Sequence, residues 1–202
     1  MAAAGGAGAG RGAPAAGQAG GGGAAGGWRP GPFGDGVGGE RSERAWVALA
    51  ASEPELAGEH ESMLGACVAW VATPRAGAVA TFSGVTRESF GSRRVLRLEY
   101  EAYAPMALRE LKRICGEVLE TGCERVAVVH RLGEVGVGGT SVAIAASSAH
   151  RAPALAAVQH AIDAVKASAP IWKKEFYEDG EVWKENAEWE GGQRRLVQVS
   201  PG

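Results

Sequence analysis

From residue 77 onward, apolar and polar positions follow two periods, and the switches between them predict the elements. "GAVATFSGVT" (77–86) and "VLRLEYEAY" (95–103) are rich in β-branched and aromatic residues and flank the polar loop "RESFGSRR", a pattern read as a hairpin. In "PMALRELKRICGEVLETG" the spacing becomes helical: Leu108, Leu111, Ile114, Cys115 and Val118 share a face, Pro105 suits the first turn and Gly122 can end it. Two more β-rich runs, "RVAVVHRLGEV" (125–135) and "GGTSVAIAASS" (138–148), precede a second helix, "APALAAVQHAIDAVKASA", with Leu155, Val158, Ile162 and Val165 expected inward. "PIWKKEFYEDG" (170–180) and "EVWKENA" close the pattern as a hairpin about Glu178, Asp179 and Gly180. Ahead of all this, 41–75 is a transition, with a helix predicted over 55–72 and broken by Pro74. Strands arriving in adjacent pairs predict an α+β domain: an antiparallel or mixed sheet with helices on one side, rather than a doubly wound parallel sheet.

One strand breaks its own rule. In "PIWKKEFYEDG" strict alternation puts Trp172, Lys174 and Phe176 on one side and Ile171, Lys173, Glu175 and Tyr177 on the other, so a lysine interrupts an apolar row either way. Lysines held among aromatics have a perturbed electrostatic environment, and such environments gather at working sites.

Composition divides the chain. Residues 1 to about 40 are nearly all Ala, Gly and Pro, which bury too little apolar surface to offset chain entropy, so 1–45 is expected to be an unstructured tail. The domain is expected over 46–190, with a C-terminal extension over 191–202. The tail has neither the apolar core of a signal peptide nor the Ser and Arg enrichment of a transit sequence, and no apolar run approaches about 18 residues, so the expected location is the cytoplasm. A formal net charge of −2 provides no global basic field for nucleic acid, so any anion must be bound locally. Cys67, Cys115 and Cys123 form no CxxC pair and argue against both a disulfide framework and a zinc site.

Three groups of cations are candidates: Arg87 with Arg93 and Arg94 around the first loop, His150 with Arg151 at a strand-to-helix junction, and Lys166 with Lys173 and Lys174. Free backbone N–H groups and the helix dipole at the second group already favour an anion. Only a short Ala-Ser-Ala-Pro connection separates Lys166 from Lys173, close enough for two ammonium groups to meet at one site. His130 with Arg131, in the middle of an apolar strand, reads as a structural pair. Phosphate-loop, GxSxG and HExxH signatures are absent.

"GAVATFSGVTR", "LEYEAYAPMA", "HRLGEVGVGGTSVAIAASSAHR", "AIDAVK", "PIWKKE" and "DGEVW", in that order and at these separations, resemble the catalytic (large) subunit of molybdopterin synthase from about residue 77 to 186. Departures are the Ala/Gly tail, Gly139 where an acidic residue is common, and the extension containing Trp189. The resemblance implies a hammerhead-like α+β fold and conversion of cyclic pyranopterin monophosphate, precursor Z, into molybdopterin. It implies sulfur delivered as a C-terminal Gly-Gly thiocarboxylate on a small ubiquitin-like subunit, and a heterotetramer built on a dimer of large subunits. Neither metal nor cofactor is implied. Carried over by position, the pocket falls on Arg87, His150, Arg151, Lys174 and Glu175 for binding and on Lys166 and Lys173 for catalysis. The competing reading is a dimeric scaffold of the same fold that holds a ubiquitin-like tail or an anion without chemistry.

Overall fold

A computed structural model describes residues 29–30, 38–51 and 60–184 of the chain. The strands are β1 (Arg29–Pro30), β2 (Gly39–Arg41), β3 (Ala45–Ala50), β4 (Ala78–Val85), β5 (Ser89–Phe90), β6 (Arg93–Ala102), β7 (Arg125–Arg131), β8 (Gly133–Gly136), β9 (Thr140–Ser148), β10 (Ile171–Tyr177) and β11 (Gly180–Lys184). The helices are α1 (Met63–Val71), α2 (Ala104–Glu120) and α3 (Arg151–Ser168). Among the described residues no helix is long and apolar enough to cross a membrane.

The strands form two sheets. A six-stranded mixed sheet runs β1-β2-β3-β7-β9-β4, antiparallel except for the parallel pair β3 and β7. The second is antiparallel, in the order β11-β10-β6-β5, with β8 also paired to β6. Alternation along the six-stranded sheet builds two apolar layers. Val47, Leu49, Val126, Val128 and Ile144 point to the layer under α2 and α3, while Trp46, Ala48, Ala127, Val129 and Ala145 point to the layer under α1. Helices therefore cover both faces, where one covered face was expected. The reason lies in β3: all six residues of "AWVALA" are buried, so both its sides need cover.

Each helix has a local cause. The Ser62 hydroxyl accepts from the Gly65 N–H at 3.0 Å and caps α1. The predicted start of that helix at 55 lies outside the described residues. α2 opens with a proline in its first turn and is followed by Gly122 at φ +90°, a left-handed position that glycine takes without strain. α3 buries a row of small residues, Ala154, Ala157 and Ala161, beside Val158, Ile162 and Val165. Leu155, expected inward, is 62% exposed.

Two further expectations are corrected. β4 and β6 do not form a hairpin: β4 pairs with β9 and β6 with β10, in different sheets. A register irregularity lies between Gly84 and Val85, and Thr86 stays beside the start of β9 by exchanging backbone hydrogen bonds with Gly138 and Gly139, so the end of β4 is committed to β9 and not to β6. Strands β1 and β2 lie inside the segment expected to be an unstructured tail, where they extend the sheet beyond β3. Residues 1–28 and 185–202, including the expected extension, lie outside the described residues.

Candidate active site

A cavity of about 330 Å³ opens where the two sheets and the end of α3 meet. The end of β4 and the following loop contribute Phe82, Gly84 and Arg87; the last turns of α3 contribute Lys166; β10 contributes Lys173 and Glu175. Each side chain is placed by a local feature. Arg87 follows the irregularity near the end of β4, and its guanidinium lies 5.5 Å from the centre of the Phe90 ring. Lys166 stands in the last turn of α3, where a cation also suits the helix dipole. The Ala169-Pro170 link then starts β10, which brings Lys173 into the same cavity.

Alternation in β10 resolves the anomaly seen in its sequence. Ile171, Glu175 and Tyr177 are buried, and Lys173 shares their inward face. The Lys173 ammonium lies 2.9 Å from Glu175 Oε1, and the Tyr177 hydroxyl donates to Glu175 Oε2. On the opposite face, Lys174 reaches Glu181 at 2.6 Å and lies about 5 Å from the ring centres of Phe176 and Trp183. The adjacent lysines thus have separate environments, and Lys174 is outside the cavity lining.

His150 and Arg151 are not brought to this cavity. They sit at the N-terminus of α3, whereas Lys166 is 15 residues further on, about 22 Å along the axis. Arg93 and Arg94 also leave the predicted cluster, for they pair with Asp179 and Glu178 of the β10–β11 turn. The wall instead includes His130 and Tyr100, which the sequence reading did not select. His130 continues the inward row of Val126 and Val128 on β7, and its ring meets Tyr100 edge-on at 5.0 Å. Burial pushes the His130 pKa down to about 4, so the imidazole is neutral near pH 7. With Nδ1–H donated to the Arg131 carbonyl at 2.7 Å, Nε2 is left as an acceptor.

The cavity combines three cationic side chains with one carboxylate, an arrangement suited to an anion. A thiol nucleophile is not available in it. Cys67, Cys115 and Cys123 are buried elsewhere, and burial raises all three thiols, Cys67 to about 12. Among the described residues no three His, Cys, Asp or Glu side chains gather in a way that could hold a metal ion.

Fold and cavity define the class as a small α+β domain with a pocket lined by Arg87, Lys166, Lys173 and Glu175. A family model described as MoaE protein matches residues 58–168, and the chain belongs to that family. It is 56% identical over 121 residues to the molybdopterin synthase catalytic subunit of Arabidopsis thaliana, a match covering 59% of this chain and 61% of the relative. It is 50% identical over 119 residues to the human protein of the same name, covering 58% and 63%. The matches thus span about three fifths of these relatives' length. The solved molybdopterin synthase of Staphylococcus aureus superposes with a TM-score of 0.55 at 40% identity, covering 57% of this chain and 85% of that one. At 19% identity and a TM-score of 0.54, a complex of subunits 1 and 2 of the Helicobacter pylori molybdopterin-converting factor, covering 72% and 92%, shares the fold.

Proposed function

We propose that this chain is the catalytic subunit of a molybdopterin synthase, a cytoplasmic enzyme that installs two dithiolene sulfurs into precursor Z. The observation that carries the reading is that Arg87, far away in sequence, lines one cavity with the neighbouring pair Lys166 and Lys173. Both proposed reactants are anionic at the reacting end: the pterin carries a phosphate and the small ubiquitin-like subunit a C-terminal thiocarboxylate. Arg87 takes the phosphate side through a forked, charge-assisted contact. Lys166 and Lys173 flank the reacting centre, stabilise the thiocarboxylate as it attacks and return protons as the spent tail leaves. The buried thiols support direct transfer from the thiocarboxylate rather than through a cysteine persulfide.

His150 and Arg151 enter this proposal from a second large subunit, because one copy of α3 cannot bring both its ends to one cavity. That arrangement agrees with a heterotetramer in which two large subunits form the centre. Lys174, on the outward face of β10, is assigned to supporting the strand and the partner surface.

The test is a reconstitution of purified chain, thiocarboxylated small subunit and precursor Z, with molybdopterin read as its fluorescent oxidation product. Wild-type chain is expected to give product, and Lys166→Ala and Lys173→Ala each to lose about a hundredfold or more in rate while remaining folded. A wild-type rate from either folded variant refutes its assigned role. A stable complex with the small subunit but no product from wild-type chain refutes the enzymatic reading in favour of a scaffold.

A further inference from the structure

We propose that Tyr177 is a positioning residue for Lys173 and acts through Glu175; its catalytic meaning rests on the sulfur-transfer reading above. Tyr177 does not line the cavity, whereas Lys173 and Glu175 do. The three residues alternate onto one face of β10, and Glu175 and Tyr177 are each only 4% exposed. The carboxylate between them has both oxygens engaged: Oε1 by the Lys173 ammonium at 2.9 Å and Oε2 by the Tyr177 hydroxyl.

A buried carboxylate held by a single ammonium is free to turn about its own axis and draws the cation toward itself. A second donor on the other oxygen fixes the carboxylate plane and takes up part of its charge. The Lys173 ammonium is then held at one carboxylate oxygen, at 2.9 Å, on the wall of the cavity, without taking the full charge of Glu175. Tyr177 is itself clamped. The Arg93 guanidinium lies 3.7 Å from the centre of the Tyr177 ring, and it donates to both carboxylate oxygens of Asp179 in the β10–β11 turn, at 2.8–3.1 Å. A register irregularity between Phe176 and Tyr177 sets the ring opposite Val95 in β6. The relay therefore runs Asp179, Arg93, Tyr177, Glu175, Lys173, from the surface turn to the cavity.

Tyr177→Phe tests it, because the ring and its stacking on Arg93 remain and only the hydroxyl is lost. The first readout does not need turnover: purified chain is labelled with limiting acetic anhydride, and acylation of Lys173 relative to Lys166 is measured by mass spectrometry. Without the hydroxyl, Glu175 binds the ammonium more tightly, so Lys173 labelling is expected to slow about threefold while Lys166 is unchanged. In a Glu175→Gln background, Tyr177→Phe is expected to add nothing. In the reconstituted reaction, Tyr177→Phe should lower kcat about tenfold while KM for precursor Z stays within about twofold. An unchanged labelling ratio, or an effect that persists fully in the Glu175→Gln background, overturns the relay. Should Tyr177→Phe fail to fold, Arg93→Gln loosens the same ring from its surface side and is judged by the same ratio. Failure of wild-type chain to make product overturns the sulfur-transfer reading, while the labelling ratio still decides the relay.

Discussion

Acid should weaken this fold through His130 by an amount the structure sets. The imidazole is 6% exposed and is held neutral, with burial lowering its pKa from 6.5 to about 4 and the bond to the Arg131 carbonyl opposing that shift only in part. Arg87, Lys166, Lys173 and Glu175 line the same cavity as the ring. Because the folded value is depressed, the unfolded chain takes up a proton that the native protein refuses. Stability is therefore intact above pH 6.5, falls as pH drops from 6.5 to 4, and then levels. At about 1.4 kcal/mol per pH unit the full loss is about 3.5 kcal/mol, and at pH 5 it is about 2 kcal/mol. That is a substantial part of a domain's usual ~5–15 kcal/mol. Urea unfolding of wild type and His130→Asn, each at pH 7.5 and 5.0, isolates the effect, since the other titrating groups are common to both. Wild type should lose about 2 kcal/mol more than the variant over that interval. Equal losses, or a larger loss in the variant, would refute the burial argument.

Gly84 and the cysteines give two further tests. A Cβ on Gly84 would lie 2.6 Å from Cγ1 of Val142, a stiff β-branched neighbour across the β4–β9 pair, so Gly84→Ala should cost about 1–3 kcal/mol in chemical denaturation; unchanged stability would show that the cavity wall yields freely. Simultaneous replacement of Cys67, Cys115 and Cys123 by serine should lower the melting temperature, because three buried sulfurs become hydroxyls, yet leave turnover per folded molecule close to wild type; loss of turnover in folded protein would reinstate a thiol in the mechanism.

Much of the core was legible because its periodicity is carried by large residues. In α2, Leu111, Ile114, Cys115 and Val118 are buried as their spacing predicts, and Gly122 falls where the helix has ended. Where small residues form the interface the same reasoning fails. Ala154, Ala157 and Ala161 take buried positions of α3 beside Val158, Ile162 and Val165, while the larger Leu155 is left outside. β3 was missed for a related reason: "AWVALA" shows no polar alternation because both of its faces are covered, so it does not look like a half-buried strand. The supposed hairpin of β4 and β6 failed because adjacency in sequence is a weak guide when each strand has another partner, β9 for β4 and β10 for β6, and backbone hydrogen bonds such as those of Thr86 leave no side-chain signature.

The candidate site was legible to the extent that it follows from chain connectivity. Lys166 and Lys173 are separated by one short turn from a helix end into a strand, and that nearness alone predicted a shared site. Arg87 is brought there by the departure from β4, and His130 by its place in a row of buried valines, neither of which spacing reveals. In β10 two demands meet on one strand. Its inward face supplies a cation to the cavity and its outward face supplies another that lies near two aromatic rings, so neither face reads as cleanly apolar. The irregular pattern in "WKKE" is therefore the local consequence of one strand serving a cavity on one side and a charged, aromatic surface on the other.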